Sequence, residues 1–417
     1  IFGIPRSPRP AYRIASQLAE LGYDAESGAE ALRTELRKGG ENVPPLGDLS
    51  FRQWVEDLID RVPAGVVNGA LARLPKYEPP KLKTEKPAEP AEAVSADAIA
   101  AVRDRLLSEG FKNITEARKF VADLGITLSN KEIEELIESG AVAAARQIVS
   151  EGGTPAEIYQ RLVELYQKQP NLSTRTGTSV ANQAYSTPVP LAYLASRLSG
   201  VTEADVVYEP TAGNGALLIE ADARRQKITA NEIDPARSAE LRRQGFTVTT
   251  EDATERAHVD QPADAIIMNP PFGAVREGGK SKTWTIDDWT TSQVDHAIAL
   301  QSLKALKDGG RAVLILGGVK ADSIEQRRKG YRGQAKREFY WRLYNNYNVV
   351  DHFTVDGDLY ARQGAAWPVD VVVIEGRGKS QRALPAAEPP VIYKTWDSLA
   401  EKLPDATLRP DTTEARR

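Results

Sequence analysis

DVVYEPTAGNGALLIEA, Asp205 to Ala221, decides the fold. A short apolar run ends at Glu209, two glycines separated by one residue follow, and a helix-like segment begins. Glycine at such a turn lets a ligand come close to the backbone. In open α/β sheets a nucleotide-like ligand binds at the carboxyl end of the first strand. Downstream, further apolar runs read as strands: ITANEI, FTVTT, DAIIMN, RAVLIL, VVDHFTV and VDVVVIEG. GALLIEADARRQ, ARSAELRRQG and SQVDHAIALQSLKALKDGG between them read as helices. This alternation predicts a doubly wound α/β fold with a mostly parallel sheet of seven strands. No clear helix separates the last two strands, so one of them is expected to run antiparallel.

Upstream the pattern is helical. Residues 1–74 read as an N-terminal helical domain, with Ile14, Leu18 and Leu21 on one helix face and Trp54, Leu58 and Ile59 on another. Residues 75–94, rich in Pro, Lys, Glu and Ala, read as an extended linker. Residues 95–170 read as a helical bundle, with Ser95, Thr115, Ser129 and Thr154 as helix caps. The α/β domain is expected over 171–378, and 379–417 as a mostly irregular tail. With 417 residues, two or three domains are expected.

Composition narrows the chemistry. The chain is 41% hydrophobic and 27% charged, with a formal net charge of -4. Overall charge therefore does not advertise nucleic-acid binding, and any such surface must be a local patch. There is no cysteine, which removes disulfides and every Cys-nucleophile mechanism. The three histidines are scattered, so no metal is expected. No apolar run reaches the roughly 20 residues that span a bilayer. The start lacks a signal-peptide core; a cytoplasmic protein, bacterial or phage-encoded, is expected. It does not begin with Met, so processing or a longer parent chain is expected.

Several polar residues fall at the tips of successive strands. Glu232, in NEID, lies about 20 residues past the glycines, where an acid accepts from ribose hydroxyls. Asp252 follows the third strand and is placed to accept from an adenine amino group. The fourth strand runs into Asn269-Pro270-Pro271-Phe272. An exocyclic amino group on a base is a poor nucleophile because its lone pair is delocalised. The Asn269 side-chain oxygen and the Pro270 carbonyl could accept its two hydrogens and favour the nitrogen that attacks a methyl group. Pro270 and Pro271 fix the backbone, and Phe272 offers a face on which an extruded base stacks. Taken singly, each feature also reads as an ordinary loop acid, a tight turn or a Pro-rich strand exit.

In order, these motifs resemble the S-adenosylmethionine-dependent amino-methyltransferases, specifically N6-adenine DNA methyltransferases whose cofactor motif precedes the catalytic one, as in type I modification subunits. The resemblance covers about residues 171–376. It implies a Rossmann-like seven-stranded methyltransferase sheet and S-adenosyl-L-methionine as cofactor. The cofactor motif falls on Glu209, Pro210, Thr211, Ala212, Gly213, Asn214 and Gly215. The ribose acid falls on Glu232 beside Ile233, the adenine contact on Asp252 and Ala253, and the catalytic tetrapeptide on Asn269 to Phe272, with Asn269 also at the cofactor. An upstream cofactor-covering motif matches QAYSTPVPLA through Tyr185, Thr187 and Pro188. Thr187 also reads as a helix cap, with Pro188 in the first turn.

DNA is the expected partner. The segment 320–347 carries Arg327, Arg328, Lys329, Arg332, Lys336, Arg337 and Arg342 among Tyr331, Tyr340 and Trp341, a composition suited to phosphate contact and stacking or to a solvated helix face. The stretch GAVREGGKSKTWTIDDW after Phe272 is expected to be a mobile loop that closes over a flipped base. About 40 residues follow the last strand, too few for a recognition domain, so specificity is absent or comes from a separate subunit, a larger polypeptide or a complex. The style also matches the methyltransferase part of phage and mobile-element antirestriction proteins. Four other readings stay open. Cytosine N4, guanine N2 in RNA or a protein glutamine could be the acceptor, and the chain could be a scaffold that keeps the fold without turnover. A dehydrogenase fits less well because AGNGA lacks the third glycine of the dinucleotide fingerprint.

Overall fold

The computed structural model describes residues 10–21, 23, 25–43, 51–76, 95–172, 186–221, 227–277, 280–364 and 367–404. Two compact units divide at Ala88 and Glu89. The first holds α1 (Pro10–Glu20), α2 (Ala25–Lys38), α3 (Phe51–Arg61) and α4 (Ala64–Arg73). Leu18, Leu32, Trp54, Leu58 and Leu71 fill its core.

The second unit opens with α5 (Ala96–Ser108), α6 (Ile114–Asp123), α7 (Asn130–Ser150) and α8 (Pro155–Lys168). Their starts are written in side chains that satisfy otherwise unbonded N–H groups. Ser95 caps α5 through Ala98 N, and Ser129 and Thr154 form capping boxes with Glu132 and Glu157. The cap of α6 is Asn113, not Thr115, because the Asn113 side chain reaches Glu116 N. α9 (Val189–Ser199) follows. Pro188, expected inside its first turn, stands at the cap position and offers no side-chain bond.

The sheet comprises β1 (Val206–Glu209), β2 (Lys227–Asn231), β3 (Thr247–Thr249), β4 (Ala263–Met268), β9 (Leu306–Gly317), β10 (Tyr347–Val355), β11 (Val369–Arg377) and β12 (Val391–Tyr393). Between β4 and β9 lie two small hairpins, β5 (Arg276–Glu277) with β6 (Lys280–Ser281) and β7 (Trp284–Ile286) with β8 (Trp289–Thr291). The sheet order is β12-β10-β11-β9-β4-β1-β2-β3. β11 is antiparallel to both neighbours, and the other pairings are parallel. This is the expected Rossmann-like, mostly parallel sheet with one strand added. The eighth strand comes from the tail read as irregular. β12 pairs with β10, and α14 (Trp396–Ala400) follows it. A three-residue strand completed only by a distant partner leaves no period to read.

α10 (Pro235–Arg243) and α11 (Val294–Leu303) connect early strands, and α12 (Ile324–Arg332) and α13 (Gln334–Asn346) lead into β10. GALLIEADARRQ was expected as a helix; its described residues, 215–221, hold a 3-10 turn over Ala216–Leu218, and the rest of the stretch lies outside the described residues. The helix expected to run on to Gly310 stops at Leu303, and β9 begins at Leu306, which pairs with Ala263. The bundle expected as separate shares one core with the sheet. Leu136 and Leu162 pack in the same cluster as Leu191, Ile267, Val313, Phe353 and Val371. The other sheet face is covered by residues of α11, α12 and α13, among them Leu300, Tyr331 and Phe339. Among the described residues no helix is long and apolar enough to cross a membrane.

Candidate active site

The sheet order reverses between β1 and β4, which opens a crevice at the carboxyl ends of the strands. β1 delivers Glu209 there, buried at 1% exposure. The following turn needs left-handed backbone at Gly213 (φ 54°) and Gly215 (φ 82°). Gly213 N donates to Glu232 Oε2 at 2.8 Å, and Asp234 N donates to Glu232 Oε1 at 2.8 Å. Glu232 is thus held between the glycine turn and the start of α10.

A cavity of about 890 Å³ fills the crevice. It is lined by Thr187, Pro210, Thr211, Ala212, Gly213, Asn214, Glu209, Glu232, Ile233, Asp252, Ala253, Asn269 and Pro271. Of the cofactor and catalytic residues read from the sequence, Pro188, Gly215, Pro270 and Phe272 are not among the lining residues. Gly215 turns toward α10 instead: a Cβ there would meet Gln244 Oε1 at 3.0 Å and Leu241 Cδ2 at 3.1 Å. Its glycine serves packing. Tyr185 lies outside the described residues.

Polar atoms without partners among the described residues gather here. Asn269 Nδ2 donates to Thr187 Oγ1 at 2.7 Å, while Asn269 Oδ1 is buried without a partner. Glu209 Oε2, Thr211 Oγ1 and Gln363 Oε1 are likewise buried and unbonded. Such atoms cost free energy unless something else satisfies them. Burial, and then Glu232, push the Glu209 carboxyl well above the usual carboxylate range, against the opposing field of Arg146. Burial also raises Glu232, with Arg237 pulling the other way.

Composition of the wall was not legible from the motifs. α7 forms one side with Glu134, Glu135, Glu138 and Lys131. Arg237 Nη2 donates to Glu135 Oε1 at 2.6 Å, and Asn214 Nδ2 donates to Glu135 Oε2 at 3.3 Å, so α7 is tied to the glycine turn. Among the described residues, eight carboxylates line the cavity against three cations, Lys131, Arg237 and Lys282. Asn231 was also missed. Its amide donates to Pro210 O and Glu251 O and accepts from Thr249 Oγ1 and Glu251 N, stitching three strand tips together. The acids of NKEIEELIESG and the Asn of NEID were the only signals, and neither says what it faces.

The stretch after Phe272, expected as a mobile loop, forms the two hairpins in its described residues. Trp289 is buried and donates to Glu338 Oε2 at 2.9 Å; Trp284 lines the cavity with Lys282 Nζ 5.6 Å from its ring. Phe272 is half-buried beside Gly317, where a Cβ would stand 3.3 Å from Phe272 Cβ.

The basic segment divides. Arg327 is buried at 5% exposure and donates to Pro390 O and Thr354 Oγ1, so it holds the C-terminal segment to the sheet and is not available to phosphate. Lys336 donates to Gly317 O, and Arg328 pairs with Glu325. Tyr331 and Tyr340 are buried and donate to Asp370. Lys329, Arg332, Arg337 and Trp341 are exposed.

No family model matches the chain, and no curated protein matches it. Solved structures show weak likenesses. A Listeria monocytogenes protein assigned to the class I S-adenosylmethionine-dependent methyltransferases is 14% identical, with 74% of this chain and 98% of that chain covered and a TM-score of 0.40. The M protein of the type I restriction enzyme EcoKI is 15% identical, with 68% and 69% covered and a TM-score of 0.38. The M. jannaschii tRNA m1G37 methyltransferase is 17% identical, with 47% and 52% covered and a TM-score of 0.30. The chain spans about half the length of this last enzyme. At these identities the functional reading rests on the site's own geometry.

Proposed function

We propose that the protein is an S-adenosylmethionine-dependent methyltransferase that modifies the N6 amino group of adenine in DNA. The observation that carries this reading is the gathering of Gly213, Glu232, Asp252 and Asn269 around one cavity whose lining is strongly acidic. An acidic cavity suits a ligand that carries a sulfonium and an ammonium. It opposes the phosphates of a dinucleotide, which disfavours the dehydrogenase reading.

The residues fit such a ligand. Glu232, already fixed by two N–H bonds, would accept from ribose hydroxyls; Asp252 would accept from the adenine amino group; Glu209 Oε2 and Thr211 Oγ1, unbonded among the described residues, would hold the methionine end. Bound S-adenosylmethionine supplies an electrophilic methyl group. Asn269 Oδ1 and the Pro270 carbonyl would accept hydrogens from the target amine and so free its lone pair for attack. Thr187 orients the Asn269 amide by taking its N–H. No general base is needed in that step, since the amine sheds its proton after transfer. Lys329, Arg332 and Arg337, with the exposed Trp341, supply the contacts to nucleic acid. Sequence specificity is absent or comes from a separate subunit, a larger polypeptide or a complex.

Incubation with methyl-labelled S-adenosylmethionine and separated DNA, RNA and protein acceptors tests the proposal. Label in DNA, recovered as N6-methyladenine, is the expected result. Label confined to RNA or protein overturns the acceptor, and absence of binding overturns the cofactor.

A further inference from the structure

Asp295 stands in the first turn of α11 at 2% exposure. Among the described residues it forms no ion pair. Its two oxygens are used differently: Oδ1 accepts from Gly273 N at 3.3 Å, and Oδ2 accepts from Gly317 N at 3.2 Å. Gly273 directly follows Phe272, and Gly317 ends β9. A further bond, from Val294 N to Gly273 O at 2.9 Å, ties the same loop to the start of α11. Gly317 is held from its other side by Lys336, which donates to its carbonyl. A Cβ on Gly317 would stand 3.3 Å from Phe272 Cβ and 3.5 Å from Asp295 Oδ2, so the carboxylate, the glycine and the phenyl ring are packed together.

A buried carboxylate is costly unless its hydrogen bonds repay the lost hydration. Two backbone N–H groups converging from two different elements call for an acceptor at both oxygens. An amide offers one acceptor, and its other end is a donor that would face an N–H. We propose that Asp295 is a positioning residue. It fixes the exit of the Asn269–Phe272 segment against the end of β9, and so sets where Asn269 and Phe272 meet the acceptor. The proposal rests on the reading of that segment as catalytic. None of the site motifs includes Asp295, because its partners are backbone groups distant in sequence.

The test compares Asp295→Asn with wild type and with Asp264→Asn. Asp264 accepts from Val206 N at the other end of the sheet strands and pairs with Lys307, so it controls for a general loss of stability. Three quantities are read: the single-turnover methyl-transfer rate, the cofactor Kd by calorimetry, and amide hydrogen exchange at Gly273 and Gly317. For Asp295→Asn the rate is expected to fall about a hundredfold, since small misplacements of reacting groups cost that much. The cofactor Kd should stay within about twofold, as for loss of an interaction that acts at the transition state. Exchange at both glycines should accelerate, and Asp264→Asn should change neither the rate nor that exchange. A wild-type rate in Asp295→Asn, or a rate loss shared equally by Asp264→Asn, overturns the positioning role. Unchanged exchange at Gly273 overturns the anchor itself. If wild type transfers no methyl group, the functional reading falls and the catalytic purpose of the anchor falls with it. The exchange measurement still decides whether Asp295 holds the loop.

Discussion

Glu232 illustrates how a single side chain serves both the fold and the ligand. Its oxygens hold Gly213 N and Asp234 N, yet it also lines the cavity. Glu232→Ala is therefore expected to weaken S-adenosylmethionine by about 1–3 kcal/mol, the scale of hydrogen bonds to a charged group, as read by calorimetry; unchanged affinity would remove it from the cofactor site. Phe272 makes a second case. If it stacks on the acceptor base, Phe272→Ala should weaken DNA capture by about 1–3 kcal/mol and Phe272→Trp should retain most of it, in a titration with DNA containing one unpaired adenine. Equal affinity in all three proteins would confine Phe272 to packing beside Gly317. At this scale the sequence is readable where chemistry and chain position coincide. Asn269, Glu232 and Asp252 all follow apolar runs, so their place at strand tips can be inferred. Glu135, Glu138, Gln363 and Asp295 cannot be found that way, because each faces the site only after distant segments pack. Gly215 misleads for the same reason: its positive φ is visible as a glycine, but its neighbours on α10 are not.

The helices α12 and α13 show what composition leaves out of an element. Seven basic residues in one segment suggested one cationic face, but Arg327 points into the protein. Two experiments separate the roles. Replacing Lys329, Arg332 and Arg337 together by Ala should weaken DNA binding at every sequence, and flatten its salt dependence by about one unit of slope per lost phosphate contact. A wild-type slope would mean these residues are only solvated. Arg327→Ala should instead lower stability, by about 3 kcal/mol for the loss of two charge-assisted bonds, seen as a lower denaturation midpoint. A folded, stable Arg327→Ala with altered salt dependence would reverse that assignment. The seven expected strands are legible because long apolar runs such as RAVLIL and VDVVVIEG have no alternative but burial. The hairpin strands and β12 are two or three residues long, too short to show a period, and only tertiary pairing makes them strands.

The whole second unit behaves as one body because the cluster containing Leu136 and Leu162 also contains Val313 and Val371. A chain starting at Ser95 is expected to fold and bind cofactor, and one starting at Ser186 to lose its fold, since it would expose the face of α9 that α7 and α8 pack against in the shared core. Acid should also act on the whole unit through His296. Its ring stacks on Phe339 at 4.0 Å between centroids, and burial lowers it from 6.5 to about 4, with Lys336 adding to the effect and Asp295 and Asp370 opposing it. A histidine kept neutral binds its proton more weakly folded than unfolded. Stability is therefore full above about pH 6.5, falls as pH drops toward 4, and loses about 3 kcal/mol in all. Denaturant unfolding of His296→Phe should show a shallower acid dependence in that window; an unchanged slope would contradict it. The account as a whole depends on Asn269 acting on the acceptor and not on the cofactor. Single-turnover transfer from labelled S-adenosylmethionine to adenine-containing DNA, by wild type and by Asn269→Ala, measures this most directly. The account predicts N6-methyladenine from wild type and none from the variant, with nearly equal cofactor affinity. Substantial transfer by Asn269→Ala, or none by wild type, would contradict it.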